Sequence, residues 1–166
     1  MRKPIQRIMV YVDGSEPSIT GAQYAICLAS FSGAELIVCY IVNTTAVEEL
    51  LRARIFLQDE QVEYEHDMEA DAERYLNYVG DLAARKGVPV IRNKGRGSVH
   101  REIVEAVKKH EVDLLVVGEL SRIRSRRDEC YDEVERALRA TPCSVLIVKD
   151  EDRVYEMYES LGQHAC

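Results

Sequence analysis

The sequence predicts an α/β domain with a five-stranded parallel sheet, doubly wound, in a three-layer sandwich of the flavodoxin-like or Rossmann-like kind. Five short apolar runs alternate with stretches of helical periodicity along the 166 residues, and this alternation is typical of a parallel sheet covered on both faces. Right-handed crossovers then restrict the topology to the doubly wound class. We expect any ligand site to lie beyond the carboxyl ends of the strands.

The first two strands flank a helix. Residues 7–12 form an apolar, β-branched run, and Ser15 or Ser18 can cap the helix that follows, which Gly33 ends. A second strand, residues 35–42, follows at once. The connection is therefore a βαβ crossover, and the two strands are predicted to be parallel.

The middle of the chain predicts a less regular segment, a long helix and a third strand. Residues 43–60 have apolar residues at helical spacing, but the segment is long for a connection, so a mobile lid and an interface piece both stay open. An apolar stripe among many acids predicts a helix over residues 61–86. We expect a strand at 88–91 and then a turn that contains Gly95 and Gly97.

The last third of the chain continues the alternation. The expected elements are a helix that starts at Ser98, a strand at 113–118, a helix over 130–141 and a fifth strand at 144–148. Apolar residues at helical spacing continue beyond the fifth strand. We therefore expect one domain over residues 1–149 and a C-terminal extension over 150–166 that forms a short helix.

Composition excludes several classes of protein. A formal charge of −7 disfavours a general nucleic-acid binder, because phosphate backbones are bound through an excess of Lys and Arg. The chain has no apolar run that suits a signal peptide or a membrane span, so we expect no membrane partner. Five widely spaced cysteines and four scattered histidines indicate neither a disulfide framework nor a metal site. A reducing, cytoplasmic location is expected.

Three stretches together resemble a known family. The first strand ends in Asp13, a glycine directly follows the apolar run 113–117, and residues 140–148 close the sheet with Thr-Pro-Cys and a β-branched run. These stretches are similar to those of the universal stress protein family, and the resemblance covers nearly all of residues 5–149. It implies a stress-response protein that dimerises through the edge of its fifth strand.

The resemblance also identifies the segment where ATP-binding members of the family hold phosphates. Those members have, after the fourth strand, Gly, two residues, Gly, nine residues, Gly, and then Ser or Thr. This chain has Gly118 at the first position but Ser121, Tyr131 and Asp132 at the other three. Because glycine lets a backbone approach phosphate oxygens, the tyrosine side chain obstructs that approach. The aspartate repels the phosphates.

Acidic residues at the start of the helix after the fourth strand strengthen this expectation. The sequence has four acids there, Asp128, Glu129, Asp132 and Glu133. Carboxylates near a helix N-terminus interact favourably with its dipole, which is the interaction that a bound phosphate would otherwise make. We therefore expect that this helix caps itself and that ATP is not bound in the usual way.

An arginine cluster precedes the same helix. Four arginines lie within six residues, at positions 122, 124, 126 and 127. Charge runs are usually solvated faces, so a salt-bridge network with the neighbouring acids, within or between subunits, is the favoured interpretation. The alternative is a phosphate clamp, with Arg124 among its members.

Two further residues have both a structural and a functional interpretation. The resemblance places Asp13 against a bound nucleotide, whereas an Asp after a strand also caps the next helix, and the two interpretations carry equal weight. The resemblance places Ile41 near adenine, but ordinary sheet core is the stronger interpretation for this side chain.

No arrangement typical of an enzyme is present. The sequence has no nucleophile elbow and no Ser-His-Asp or Cys-His grouping in neighbouring motifs, so no catalytic residue is assigned. We expect a homodimeric, non-enzymatic regulatory or interaction module with a protein partner and no cofactor. The alternative is a nucleotide switch that binds ATP or AMP through Asp13 and the segment Arg122–Arg127. An ATP-hydrolysing enzyme ranks last, because only analogy of fold supports it.

Overall fold

The computed structural model describes residues 3–54, 58–120 and 129–162. In this part of the chain, five parallel strands form one sheet. The strands are β1 (Arg7–Tyr11), β2 (Glu35–Val42), β3 (Val90–Arg96), β4 (Leu114–Gly118) and β5 (Ser144–Val148). The helices are α1 (Glu16–Ser32), α2 (Thr44–Arg52), α3 (Gln58–Ala84), α4 (Val99–Lys109), α5 (Glu129–Ala140) and α6 (Glu151–Ser160).

The predicted fold class is confirmed. The strand order is β3-β2-β1-β4-β5, so β2 and β3 lie on one side of β1, and β4 and β5 lie on the other side. The order therefore reverses between β1 and β4. In a doubly wound sheet this reversal opens a crevice at the carboxyl ends of the two central strands.

Two hydrophobic cores cover the two faces of the sheet. Ile8 and Val10 of β1, and Val12 just after it, face a core shared with α1, α3 and α6. Met9 and Tyr11 face the other core, which includes α4 and α5. This alternation follows from the two-residue period of a strand, and burial on both faces explains why the strands are apolar throughout.

Helix α1 begins and ends where the sequence predicts. Ser15 is the N-cap, and its Oγ accepts a hydrogen bond from the Ser18 N–H at 3.3 Å. Gly33 ends the helix with a φ of 72°, in the left-handed region that glycine adopts without steric cost. These two caps fix the start of the helix beside the end of β1, where the crevice opens.

Strand β3 differs from the prediction. It covers Val90–Arg96, not 88–91, because its pairing with β2 continues without interruption to the last residue of both strands. Gly95 is therefore a strand residue and not a turn residue. The turn begins at Gly97, which has a φ of 131°.

The segment 43–60 contains regular structure. Asn43 caps α2 by accepting a hydrogen bond from the Ala46 N–H at 3.1 Å, and Val47 is fully buried. The long helix α3 starts at Gln58, three residues before its predicted start, and ends at Ala84. The helical spacing in this segment therefore indicated a real helix.

Candidate functional site

A small cleft opens where β1 and β4 end. Its described lining includes Asp13 and Ser18 after β1, Gly118 and Leu120 at the end of β4, and Val134 of α5, and its volume is about 50 Å³. Pockets for small molecules usually have volumes of roughly 300–1,000 Å³. The described residues therefore form a cleft at the expected place, but one much smaller than a nucleotide pocket.

Asp13 organises the start of α1. Its Oδ1 accepts two hydrogen bonds from Ser15, one from the N–H at 2.9 Å and one from the hydroxyl at 2.6 Å. Its own N–H donates to the Ser18 hydroxyl at 3.3 Å. Asp13 thus holds the N-cap serine in place, but the residue that caps α1 is Ser15 and not Asp13. Its side chain is also exposed at the cleft, so a contact with a nucleotide remains a prediction.

Gly118 is required by packing. A Cβ at this position would lie 2.1 Å from the Pro17 carbonyl oxygen and 2.8 Å from the Ser18 nitrogen. A Cβ on Gly21, one turn further along α1, would lie 3.1 Å from the Gly118 nitrogen. The end of β4 and the first turns of α1 therefore meet backbone to backbone. The presence of this glycine does not by itself indicate a phosphate site.

Ile41 lies in the core. Its side chain is 6% exposed and belongs to the core between the sheet and α4. A Cβ on Gly95 would lie 3.3 Å from its Cγ1, so the side chain packs against the neighbouring strand. Ile41 is not among the described residues that line the cleft. Sheet core was the stronger interpretation for this side chain, and a contact with adenine stays a prediction.

The remaining predicted positions lie partly or wholly outside the described residues. Ser121, Arg124 and the rest of the segment Arg122–Arg127 are outside them. Tyr131 and Asp132 belong to the backbone of α5, but their side chains are not described. Because α5 begins at Glu129, both residues fall in its first turn. A helix N-terminus is where backbone N–H groups can bind a phosphate.

Glu133 makes a contact that the sequence did not predict. This side chain on α5 reaches the N-terminus of α4, where its Oε2 accepts hydrogen bonds from the Ser98 hydroxyl and the His100 N–H, both at 3.1 Å. It also pairs with Nδ1 of the His100 ring. Ser98 occupies the N-cap position of α4, but its hydroxyl makes no cap hydrogen bond to that helix. Glu133 thus caps α4 in its place.

The electrostatics of Glu133 agree with this role. Partial burial alone raises the pKa of the Glu133 carboxyl, but the hydrogen bonds from His100 and Ser98 outweigh burial, so the net pKa lies below its ordinary value. The charged form is therefore favoured at neutral pH. The sequence assigned this carboxylate to the N-terminus of its own helix, and the structure instead places it at the N-terminus of α4.

Two kinds of feature are absent from the residues that the structure describes. No group of three or more His, Cys, Asp or Glu side chains in that part of the chain could hold a metal ion. None of its helices combines the length and the apolar character that crossing a membrane requires.

Sequence comparisons agree on one family. The model described as the universal stress protein family matches residues 4–149. Universal stress protein MJ0531 of Methanocaldococcus jannaschii is 28% identical over 144 residues, which cover 87% of this chain and 82% of that protein. The family match thus includes β1 to β5 and ends before α6.

Solved structures share the fold. A protein from the universal stress protein family of Burkholderia pseudomallei gives a TM-score of 0.69 at 19% identity, covering 90% of this chain and 100% of that one. A universal stress protein family protein of Arabidopsis thaliana with AMP bound gives 0.62 at 15% identity, covering 89% and 94%. At these identities the likeness shows the fold alone.

Proposed function

Because this chain belongs to the universal stress protein family, we propose that it acts in the stress response as a dimeric, non-enzymatic interaction module that does not hold ATP in the usual way. Its partner is a second protein, which it contacts through the surface of the dimer. We place it in the cytoplasm, since the thiols of Cys27, Cys39 and Cys143 are free and a reducing compartment keeps thiols free.

The observation that carries this proposal is the small cleft between the ends of β1 and β4. The cleft has a volume of about 50 Å³, well below the roughly 300–1,000 Å³ of pockets that hold small molecules. Glycine at position 118 is explained by its contact with Pro17 and needs no ligand. The part of the ATP motif that this chain retains therefore has a structural reason.

The positions that the chain has changed support the same conclusion. Tyr131 and Asp132 lie in the first turn of α5, where ATP-binding members of the family are expected to have a glycine and a hydroxyl residue. A carboxylate there adds negative charge to the place that a phosphate would occupy, and the repulsion grows as water is excluded. Changing these positions therefore weakens ATP binding twice, by obstruction and by charge.

Restoring the motif provides the test. We expect purified wild-type protein to show no saturable binding of ATP in isothermal titration up to about 1 mM. The variant Ser121→Gly/Tyr131→Gly/Asp132→Ser should gain affinity by about tenfold or more, because it removes one charge repulsion and one steric obstruction. The control is Asp152→Ser on α6, which is exposed and removes one charge outside the positions of the motif.

Any of three results contradicts the proposal. Micromolar binding of ATP by the wild-type protein would show that the altered motif still holds a triphosphate. Release of inorganic phosphate from ATP above the rate in buffer, if abolished by Asp13→Asn, would show an enzyme. Equal gains by the triple variant and the Asp152→Ser control would trace the effect to net charge and not to the motif.

One observation favours a second candidate, a switch that binds AMP. The Arabidopsis relative was solved with AMP bound, and AMP lacks the two outer phosphates that Tyr131 and Asp132 oppose. Asp13 is exposed at the cleft, and the arginines of the segment Arg122–Arg127 supply positive charge. Saturable AMP binding that Arg124→Ala/Arg126→Ala abolishes supports this function. AMP binding that survives in that double variant contradicts it.

A further inference from the structure

The C-terminal helix, which lies outside the family match, forms one wall of an apolar groove. Helix α6 starts at Glu151, whereas the family model ends at residue 149. The groove between α1 and α6 has a volume of about 520 Å³. Its apolar lining consists of Cys27, Leu28 and Phe31 from α1 and Met157 and Leu161 from the end of α6. The wall formed by α6 is therefore a feature of this chain's own extension.

Helix α6 is held firmly, so the groove is preformed. Val154 and Tyr158 are buried in the core, and the Tyr158 hydroxyl donates to the Leu82 carbonyl at 2.6 Å. The Lys86 ammonium donates to the Leu161 carbonyl at 3.2 Å and lies 4.8 Å from the centre of the Tyr158 ring. These contacts join the end of α6 to α3. The wall of the groove therefore needs no partner to form.

Phe31 projects into solvent beside this groove. It lies in the last turn of α1, and 94% of the residue is exposed, the largest exposed fraction among the large apolar residues described. A soluble surface gains nothing from a fully exposed aromatic ring, and aromatic residues are enriched in the cores of protein interfaces. A projecting ring and an apolar groove on one face allow two copies to fill each other's groove across a two-fold axis.

The charges on the same face are also self-complementary. Arg153 and Glu156 line the groove, both are exposed, and neither side chain has an ion-pair partner among the residues that the structure describes. In a two-fold contact, a pair formed between one copy and the other forms twice. One unpaired cation and one unpaired anion can therefore give two reciprocal ion pairs, whereas an apolar small molecule would use neither charge.

We propose that the face formed by α1 and α6 binds a second copy of this chain. Phe31 of each copy enters the groove of the other, and Arg153 of each copy pairs with Glu156 of the other. This contact goes beyond the proposed function, because it uses a different surface from the β5 edge. If both contacts form with two-fold axes that are perpendicular and intersect, the protein is a closed tetramer made of two β5 dimers. If the β5 contact fails, the α1–α6 contact still gives a dimer.

The first experiment uses sedimentation velocity over a range of concentrations to measure the molar mass of the assembly that the full chain forms. We expect Phe31→Glu to halve the mass and to raise the dissociation constant of this contact by at least about tenfold, since a buried charge replaces an apolar anchor. Val62→Glu is the matched control, because Val62 is also an apolar residue on a helix surface and is 69% exposed. Its mass should equal that of the wild type.

A charge swap separates a direct contact from loss of folding. Arg153→Glu or Glu156→Arg alone should weaken association by about threefold or more, because each leaves like charges opposed. The double variant Arg153→Glu/Glu156→Arg should restore the wild-type dissociation constant to within about twofold. Circular dichroism of each variant at low concentration verifies that the monomer is folded.

The test also distinguishes this contact from the β5 dimer. In an Ile147→Lys background, which disrupts the β5 edge, the Phe31-dependent association should remain. The proposal is overturned if the mass is the same with and without Phe31→Glu in both backgrounds. It is equally overturned if the groove takes an apolar small molecule or an unrelated protein while self-association is independent of Phe31.

Discussion

The two edges of the sheet differ in what they expose. β3 and β5 are the outer strands, and each has one isoleucine that is 42% exposed, Ile91 and Ile147. In β3 this residue is followed by alternating cations from Arg92 to Arg96, whereas β5 consists of Ser144 and four aliphatic residues. Charged side chains on an edge prevent pairing with another chain. The molecule thus blocks one edge and leaves the other available.

The charges of β3 are fixed by ion pairs with α3. Lys94 Nζ lies 3.0 Å from a Glu69 carboxylate oxygen and 2.9 Å from one of Glu73, and Arg96 also pairs with Glu69. The hydrogen bond from Lys94 lowers the pKa of the Glu73 carboxyl, and the bond to Glu73 raises the pKa of the Lys94 ammonium. Both groups therefore stay charged at neutral pH, and the ion pairs hold these side chains against α3.

The largest effect is expected from a lysine in β5. If β5 forms the dimer, Ile147→Lys buries an unpaired charge at the contact, which costs about 2 kcal/mol or more and raises the dissociation constant by roughly 30-fold or more. Ile91→Lys is the matched control, since it makes the same change at an equally exposed position of β3. Sedimentation equilibrium of both variants measures the difference. Equal effects of the two substitutions would contradict the assignment of the contact to β5.

A smaller effect is expected when the β3 edge is made apolar. The variant Arg92→Val/Lys94→Val removes two cations and leaves unpaired backbone groups beside aliphatic side chains, so the edge should associate and raise the average mass by about twofold or more. Light scattering at several concentrations measures this. The control Arg136→Val/Arg139→Val removes the same charge from exposed positions of α5. If that control associates equally, net charge and not the edge is responsible.

The smallest expected effect is a dependence of thermal stability on pH, which arises from the ion pairs of β3. Because the folded pKa of Glu73 lies below its ordinary value of 4.5, its contribution is present above pH 4.5 and is lost as the pH falls through the folded pKa. Glu73→Gln should therefore reduce the fall in melting temperature between pH 7 and pH 3 by roughly 1 °C, since exposed pairs contribute little. The strand β5 has no titratable side chain.

Thermal unfolding of two variants over this pH range provides the measurement. Glu48→Gln on α2 is the control, since Glu48 is exposed and has no ion pair among the described residues. It should reproduce the wild-type curve. A curve for Glu73→Gln that coincides with both would mean that the ion pairs of β3 contribute nothing to stability.

Much of the fold could be predicted because its signals are local. The bounds of β2, residues 35–42, match the structure, and α1 lies between the predicted caps Ser15 and Gly33. The predicted β3 is too short, because the second half of the strand, Arg92–Arg96, is polar and contains Gly95. That half is a strand through pairing with β2 and ion pairs with α3. Partners distant in the sequence give no local pattern.

In the candidate site, too, contacts between near neighbours in the sequence could be predicted, and contacts between distant residues could not. The contact between Asp13 and Ser15 joins residues two positions apart, and Ser15 was one of the two caps that the sequence predicted for α1. The contact between Glu133 and His100 crosses 33 positions, so no spacing predicts it. Gly118 was assigned to a phosphate through the resemblance, and its approach to Pro17 depends on how α1 lies against β4. Only the assembled layers reveal that requirement.

The close approach at Gly118 has a consequence for how such chains change over time. Any side chain there would collide with the Pro17 carbonyl, whatever the protein binds. Selection on the scaffold alone is therefore enough to retain this glycine, whether or not the chain binds a nucleotide. A sequence search that treats this glycine as evidence of phosphate binding therefore mistakes a packing requirement for a functional signal. Ser121, Tyr131 and Asp132 are therefore the positions at which the proposed loss of ATP binding is to be tested.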